Sequence, residues 1–260
     1  MPDRSGPSGV VERTFQITGA TGPVLGVAWL PAKEPKAAEP KAAEPETAGS
    51  EAARLVLLGH GGSGHKRSPR NVELGTWFAA NGLAAAAIDG PYHGDRVRAP
   101  IPAKEYQERM VAEGVDAVLD RMTADWLAVV RMLGAERVAY VGLSLGARLG
   151  LPVAAALGDR LRCAVLGKFG LVQQHPEMPP GLARPERVRR EARALTAPVL
   201  FHVQWDDELF ARDGQLALFD ALGSPGKQLI AYAGGHGVTP PGAVEHWRTF
   251  VHRHLGEDSA

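Results

Sequence analysis

Short apolar runs at residues 54–58, 83–88, 138–141, 163–166, 199–203 and 228–232 alternate with longer amphipathic stretches along most of the chain. A strand buried on both faces reads as a continuous apolar run, so this alternation specifies a largely parallel sheet covered by helices on both faces. One amphipathic stretch carries Val115, Val118, Leu119, Met122, Trp126, Val129 and Leu133, whose spacings of three and four put them on one helix face. A second carries Val244, Trp247, Val251 and Leu255, with Phe250 on its flank. Both stripes are expected to pack on the sheet and to have no cofactor role. Ahead of them, residues 11–18 and 24–30 read as two strands separated by Gly22-Pro23, an antiparallel hairpin. The expectation is an α/β protein with a mostly parallel central sheet, helices on both faces and an N-terminal antiparallel hairpin.

At 260 residues the chain can enclose a substantial core, and the layout of motifs favours one domain over residues 1–260. Residues 33–45 read KEPKAAEPKAAEP, which has almost no bulky apolar side chain and cannot bury a face. Residues 32–52 are therefore expected to be a loop between strands, and residues 1–10 to lack order. Lys plus Arg equals Asp plus Glu at 29 each, so the overall balance points to neither nucleic acid nor an anionic membrane as partner. The basic cluster at 184–193 reads as a solvated helix face. The single cysteine, Cys163, excludes an intramolecular disulfide and sits in an apolar run as a small buried thiol. With no apolar stretch that could serve as a signal core or a membrane span, a soluble, cytoplasmic protein is expected.

Chemistry concentrates first at Gly142-Leu143-Ser144-Leu145-Gly146, between the run at 138–141 and a helical pattern at 147–157. A strand, a sharp turn and a helix in that order strain the serine backbone and lift its Oγ above the sheet edge, while the flanking glycines let strand and helix approach. Ser144 is thus a candidate nucleophile. A second segment, Leu57-Leu58-Gly59-His60-Gly61-Gly62-Ser63-Gly64, runs from a strand into a glycine-rich loop. Inward-facing amides there and at the first helical turn would stabilise an oxyanion. Leu145 and Gly62 are assigned as the donors, with Ser63 competing for the second place. A phosphate-cradling loop is disfavoured, because neither a Lys-Ser/Thr ending nor Gly-x-Gly-x-x-Gly is present.

A serine nucleophile needs a base. Among the nine histidines, His246, His252 and His254 lie on the last amphipathic stretch, His60 precedes the glycine loop and His202 lies inside a strand, all positions that suit structural or surface roles. His236, in Gly234-Gly235-His236-Gly237 between the last strand and the last helix, is the candidate base. No metal site is expected, since the histidines lack close zinc-ligand spacing with a carboxylate. The orienting carboxylate should follow the penultimate strand, where Trp205-Asp206-Asp207-Glu208 offers three acids. Asp206 is assigned, as the first to emerge, to accept the Nδ1 proton of His236. Asp207 is the alternative one residue on, and Glu208 suits a solvated acidic turn.

The order serine, carboxylate, histidine differs from that of chymotrypsin-like and subtilisin-like enzymes. With the glycine-rich loop, the GLSLG elbow, the WDD turn and the GGHG loop, the chain over about residues 54–255 resembles the α/β-hydrolase superfamily. Within it, HGGSGHK and DGPYHGDR are similar to dienelactone-hydrolase-like and prolyl-oligopeptidase-like esterases. Dienelactone hydrolases proper have a cysteine nucleophile where this chain has Ser144, so that activity is not implied. The resemblance implies the α/β-hydrolase fold and a serine hydrolase that cleaves carboxylic esters, with thioesters and small amides as variants, and needs no cofactor. An acyltransferase with the same residues, or a catalytically silent binding protein on this scaffold, are the rival readings.

Segments 91–113 and 169–195 are placed to cover a pocket, and neither is long enough for a large separate cap. A small-molecule acyl compound is the expected partner. Ser63, His65, Tyr92, His93 and Arg96 are the substrate-contact candidates, with Lys66 and Arg96 open to either an anionic substrate group or a structural ion pair.

Overall fold

The computed structural model describes residues 4–5, 9–19, 21–32 and 53–256. The charged repeat at 33–45 lies outside the described residues, as do most of the first eight. Of that start, Arg4–Ser5 form a short strand, β1, paired with the next strand, so the expected lack of order does not hold there. The hairpin consists of β2 (Val10–Gly19) and β3 (Gly22–Pro31), in register from Val10 opposite Pro31 to Gly19 opposite Gly22. Gly22-Pro23 therefore belongs to the second strand instead of separating the two.

The remaining strands are β4 (Ala53–Gly59), β5 (Ala84–Ile88), β6 (Ala135–Leu143), β7 (Leu161–Gly167), β8 (Val199–Gln204) and β9 (Gln228–Tyr232). They complete a nine-stranded sheet of order β1-β2-β3-β5-β4-β6-β7-β8-β9. β3 joins β5 antiparallel, and β5, β4, β6, β7, β8 and β9 are mutually parallel. Strand side chains alternate between faces, and here each face has its own core. Leu55 and Leu57 of β4, Ala86 and Ile88 of β5, and Val138 and Tyr140 of β6 belong to one. Val56 and Leu58, Ala85 and Ala87, and Ala139 and Val141 belong to the other. Because both parities are apolar, the strands read as unbroken runs with no polar alternation.

The helices are α1 (Pro69–Ala80), α2 (Ala103–Glu113), α3 (Val115–Met132), α4 (Leu145–Leu157), α5 (Pro185–Ala194), α6 (Arg212–Ala221) and α7 (Pro241–Gly256). Helices α1 and α7 cover the second core, while α3, α4, α5 and α6 cover the first. The two helical stripes pack as expected, with Val118, Met122, Trp126 and Val129 buried on α3 and Trp247, Val251 and Leu255 on α7. Cys163 is buried on β7. Among the described residues no helix is long and apolar enough to cross a membrane.

The α1 face is packed tightly enough to give a test. A methyl group on Gly75 would lie 2.2 Å from the ring of Trp29, which is buried and anchored by its Nε1 donating to Glu12 at 2.9 Å. In an open helix Gly→Ala gains about 1 kcal/mol, but overpacking a rigid site costs about 1–3 kcal/mol. Gly75→Ala is therefore expected to be destabilising by a net of about 1 kcal/mol in urea titration, the opposite sign to the helix-propensity effect.

Candidate active site

The carboxyl ends of the parallel strands are where an open α/β sheet places its ligands, and each candidate catalytic residue lies there. Ser144 joins β6 to α4 with φ 58° and ψ −119°, a conformation that L residues rarely adopt. Its amide donates to Gly167 O at 2.9 Å, and its carbonyl accepts the amides of Ala147 and Arg148, both at 3.0 Å, as the helix begins. The turn closes because of its glycines. A Cβ on Gly142 would meet Gly146 O at 2.5 Å, and one on Gly146 would meet the Gly59 and His60 carbonyls at 3.0 Å.

His236 reaches over from the loop between β9 and α7, and its Nε2 lies 2.8 Å from Ser144 Oγ. Its Nδ1 lies 2.8 Å from Oδ2 of Asp207, not of Asp206. Asp207 is buried, and its other oxygen accepts the amides of Leu209 at 2.8 Å and Phe210 at 2.9 Å, so the carboxylate is held on both sides. The assignment of Asp206 is corrected by a strand boundary. β8 runs on through Gln204, one residue past its expected end, and the turn that follows takes up Trp205 and Asp206. Asp206 is exposed, accepting the Gly234 amide at 3.1 Å and lying 3.9 Å from Arg212.

The histidine loop is fastened by groups that sequence reasoning gave no part. Glu208, expected as a solvated acid, accepts the His236 amide at 2.7 Å, and that hydrogen bond holds its carboxyl below the usual range. Gln204 donates to Ala233 O at 2.9 Å and Gly234 O at 3.0 Å. Lys168 follows β7 with φ 46° and directs its amine to His236 O at 3.0 Å, Val238 O at 2.5 Å and Thr239 Oγ1 at 2.8 Å. Burial lowers its pKa to about 8, with Arg70 adding to the effect and Asp207 and Glu208 opposing it.

The glycine-rich loop after β4 passes beside Ser144. The amides of Gly62 and Leu145 have no acceptor among the described residues, and both residues line the same cavity as Ser144. A buried polar layer supports this loop from behind. His60 donates from Nδ1 to Gly61 O at 2.8 Å and accepts the Gly90 amide on Nε2 at 2.7 Å, and burial lowers its pKa to about 4, so it stays neutral. His93 lies with Nε2 2.9 Å from Gly62 O and Nδ1 2.7 Å from Pro91 O. Beneath them Lys66 pairs with Asp89 and Asp95, each at 2.5 Å. Burial pushes the Asp89 carboxyl up, but hydrogen bonds from Lys66 and the Asp95 amide outweigh it and hold the group below its ordinary value.

The cavity has a volume of about 550 Å³ and is bounded by the glycine loop, α2, the start of α4, the segment around 178–182, Phe210 and the histidine loop. Helix α2 and that segment contribute Tyr106, Gln107, Met110, Met178 and Leu182 to the lining. Of the substrate-contact candidates only Ser63 lines the cavity. His65 is exposed and accepts the Arg67 amide at 3.2 Å. Tyr92 bonds Glu113 at the rim, His93 braces Gly62 from outside the cavity, and Arg96 is fixed to Asp125 at 2.7 Å and to Asp89 O at 2.8 Å. All four act on the protein itself. The lining also includes Tyr106, from the segment 91–113 expected to cover the pocket, and Arg148, Lys168 and Phe210, none of which was a sequence candidate.

A parallel sheet of this order, with a serine on the elbow after β6 and a histidine after the last strand, gives the chain the α/β-hydrolase fold. It is similar over 97% of its length to 97% of a cold-adapted esterase from an Arctic intertidal metagenomic library, at 29% identity and a TM-score of 0.75. It also shares its fold with an acetyl xylan esterase from Paenibacillus sp. R4, at 18% identity and a TM-score of 0.68 over 98% of this chain and 88% of that one. A dienelactone hydrolase from Anabaena variabilis ATCC 29413 matches at 18% identity and a TM-score of 0.60 over 94% of this chain and 96% of that one. No protein-family model and no curated protein matches the sequence.

Proposed function

We propose that the protein is a serine hydrolase that cleaves carboxylic esters of small acyl compounds through an acyl-serine intermediate. The observation that carries this reading is the unbroken relay Asp207–His236–Ser144, with 2.8 Å at both steps, ending in a cavity. Similarity to esterases supports it. In the first half-reaction Ser144 Oγ attacks the ester carbonyl carbon while its proton passes to His236 Nε2. Negative charge gathers on the carbonyl oxygen, where the Gly62 and Leu145 amides and the start of α4 receive it. Collapse breaks the bond to the alcohol oxygen, which takes the proton from His236. Water then repeats the attack with His236 as base, releasing the acid and restoring Ser144. Throughout, Asp207 keeps Nδ1 protonated and stabilises the imidazolium.

A panel of 4-nitrophenyl esters of increasing acyl length tests this. Turnover of short and medium chains is expected, and activity confined to long-chain lipids would contradict the small-substrate reading. Lys168 gives the panel a pH signature. Its ammonium has three donors for three acceptors, and losing its proton leaves two. As pH rises through about 8 the clasp on the histidine loop loosens, so kcat/KM should decline there. Lys168→Met should start lower and lack that alkaline decline, and an identical decline in the variant would show that another group causes it.

A further inference from the structure

The charges of the chain balance at 29 of each sign, yet its cavity does not share that balance. Arg70, Arg148 and Lys168 line the cavity and no aspartate or glutamate does. Lys168 has committed its amine to the histidine loop, and the two carboxylates that act on it, Asp207 and Glu208, are bound to His236. Arg70 donates only to Gly59 O at 3.4 Å and has no carboxylate partner among the described residues, but it is half-buried, whereas Arg148 is buried. Arg148 is only 5% exposed, its guanidinium lies over the Phe169 ring at 4.9 Å, and its hydrogen bonds go to Leu182 O and to Gln173 Oε1 at 3.0 Å. Both acceptors are neutral, and no carboxylate pairs with it among the described residues. Burial without a counter-charge holds its pKa down to about 10.

Buried charges are ordinarily paired, because an unpaired one is costly to remove from water. A guanidinium also has five N–H donors, of which two are used here. Three therefore remain for a ligand beside the nucleophile, since Arg148 lies one helical turn beyond Ser144 and donates its own amide to the Ser144 carbonyl. Its planar fork matches the two coplanar oxygens of a carboxylate. Met110, Met178, Leu182 and Phe210 supply an apolar wall for a hydrocarbon spacer. Resting on the esterase reading above, we propose that the substrate is an ester that also carries a carboxylate, and that Arg148 binds that carboxylate and so sets specificity. The field of Arg70 and Lys168 favours the same charge.

Two matched pairs of esters test the assignment and tell which half of the ester carries the charge. For the acyl half, mono-4-nitrophenyl glutarate is compared with 4-nitrophenyl butyrate; for the alcohol half, 4-(butyryloxy)benzoate is compared with its methyl ester. In wild type the charged member of one pair should have the higher kcat/KM by about 10- to 100-fold, the scale of a charge-assisted hydrogen bond. In Arg148→Leu that ratio should fall to about one, mainly through KM, with Arg148→Lys in between. Should Arg148→Leu not fold, the wild-type ratio, Arg148→Lys and competitive inhibition of wild type by glutarate carry the test. A ratio near or below one in both wild-type pairs overturns the proposal. So does an unchanged ratio in Arg148→Leu with both members slowed alike, which is what an arginine that merely ties down residues 173–182 would give. Wild type turning over none of the four esters would defeat the esterase reading itself, whereas brisk turnover without charge preference would defeat only the carboxylate.

Discussion

In Ser144→Ala, kcat/KM for an aryl ester is expected to fall by roughly 10,000- to 1,000,000-fold, and adding His236→Ala should cost little more. Members of such a relay act as one unit, so their losses do not add. The 2.8 Å contact between Nε2 and Oγ places proton acceptor and nucleophile in a single step. Alanine keeps a Cβ on the strained elbow and leaves the amides of Gly62 and Leu145 in place, so the variant should remain folded by circular dichroism and retain substrate binding. Steady-state kinetics on the two single variants and the double variant check this. Losses that multiply would show that the two residues do not work together.

The adjacent aspartates give the second large effect. Asp207→Asn should lower kcat by about 10,000-fold, because an amide at Oδ2 favours the wrong imidazole tautomer and no longer stabilises the imidazolium. Asp206→Asn, at an exposed site bonded to Gly234 and near Arg212, should change kcat by less than about tenfold, in keeping with loss of one surface interaction. Comparable losses in the two variants, or the larger loss at Asp206, would reverse the assignment made from the geometry.

Much of this architecture was legible because its cause is local. Runs such as 54–58 and 199–203 announce strands with two buried faces, and the stripe from Val115 to Val129 announces a helix on the sheet. The elbow and the GGHG loop were readable because their residue types are tied to backbone shape. Asp207 was misplaced for a reason equally local, since strand side chains alternate and the extension of β8 by one residue moves the emerging acid from one position to the next. The loop residues His65, Tyr92, His93 and Arg96 failed differently. Nearness to the site along the chain does not fix which way a loop side chain turns, and these turn toward the Arg67 amide, Glu113, Asp125 and the backbone carbonyls of Gly62 and Asp89. Arg148 did leave a signal, as a lone charge near the start of an otherwise uncharged helix whose apolar residues are almost all buried. An arginine in that setting calls for a partner, and none of its neighbours in sequence supplies one.

Labelling with a fluorophosphonate, followed by peptide mass spectrometry, tests most directly whether His236 and Asp207 activate one hydroxyl beside the Gly62 and Leu145 amides. The expected result is a single adduct on Ser144, formed quickly in wild type, much more slowly in Asp207→Asn, and absent in Ser144→Ala. Intact, folded wild type that takes up no label, or takes it up on a residue other than Ser144, would contradict the assignment of this site as a serine hydrolase centre.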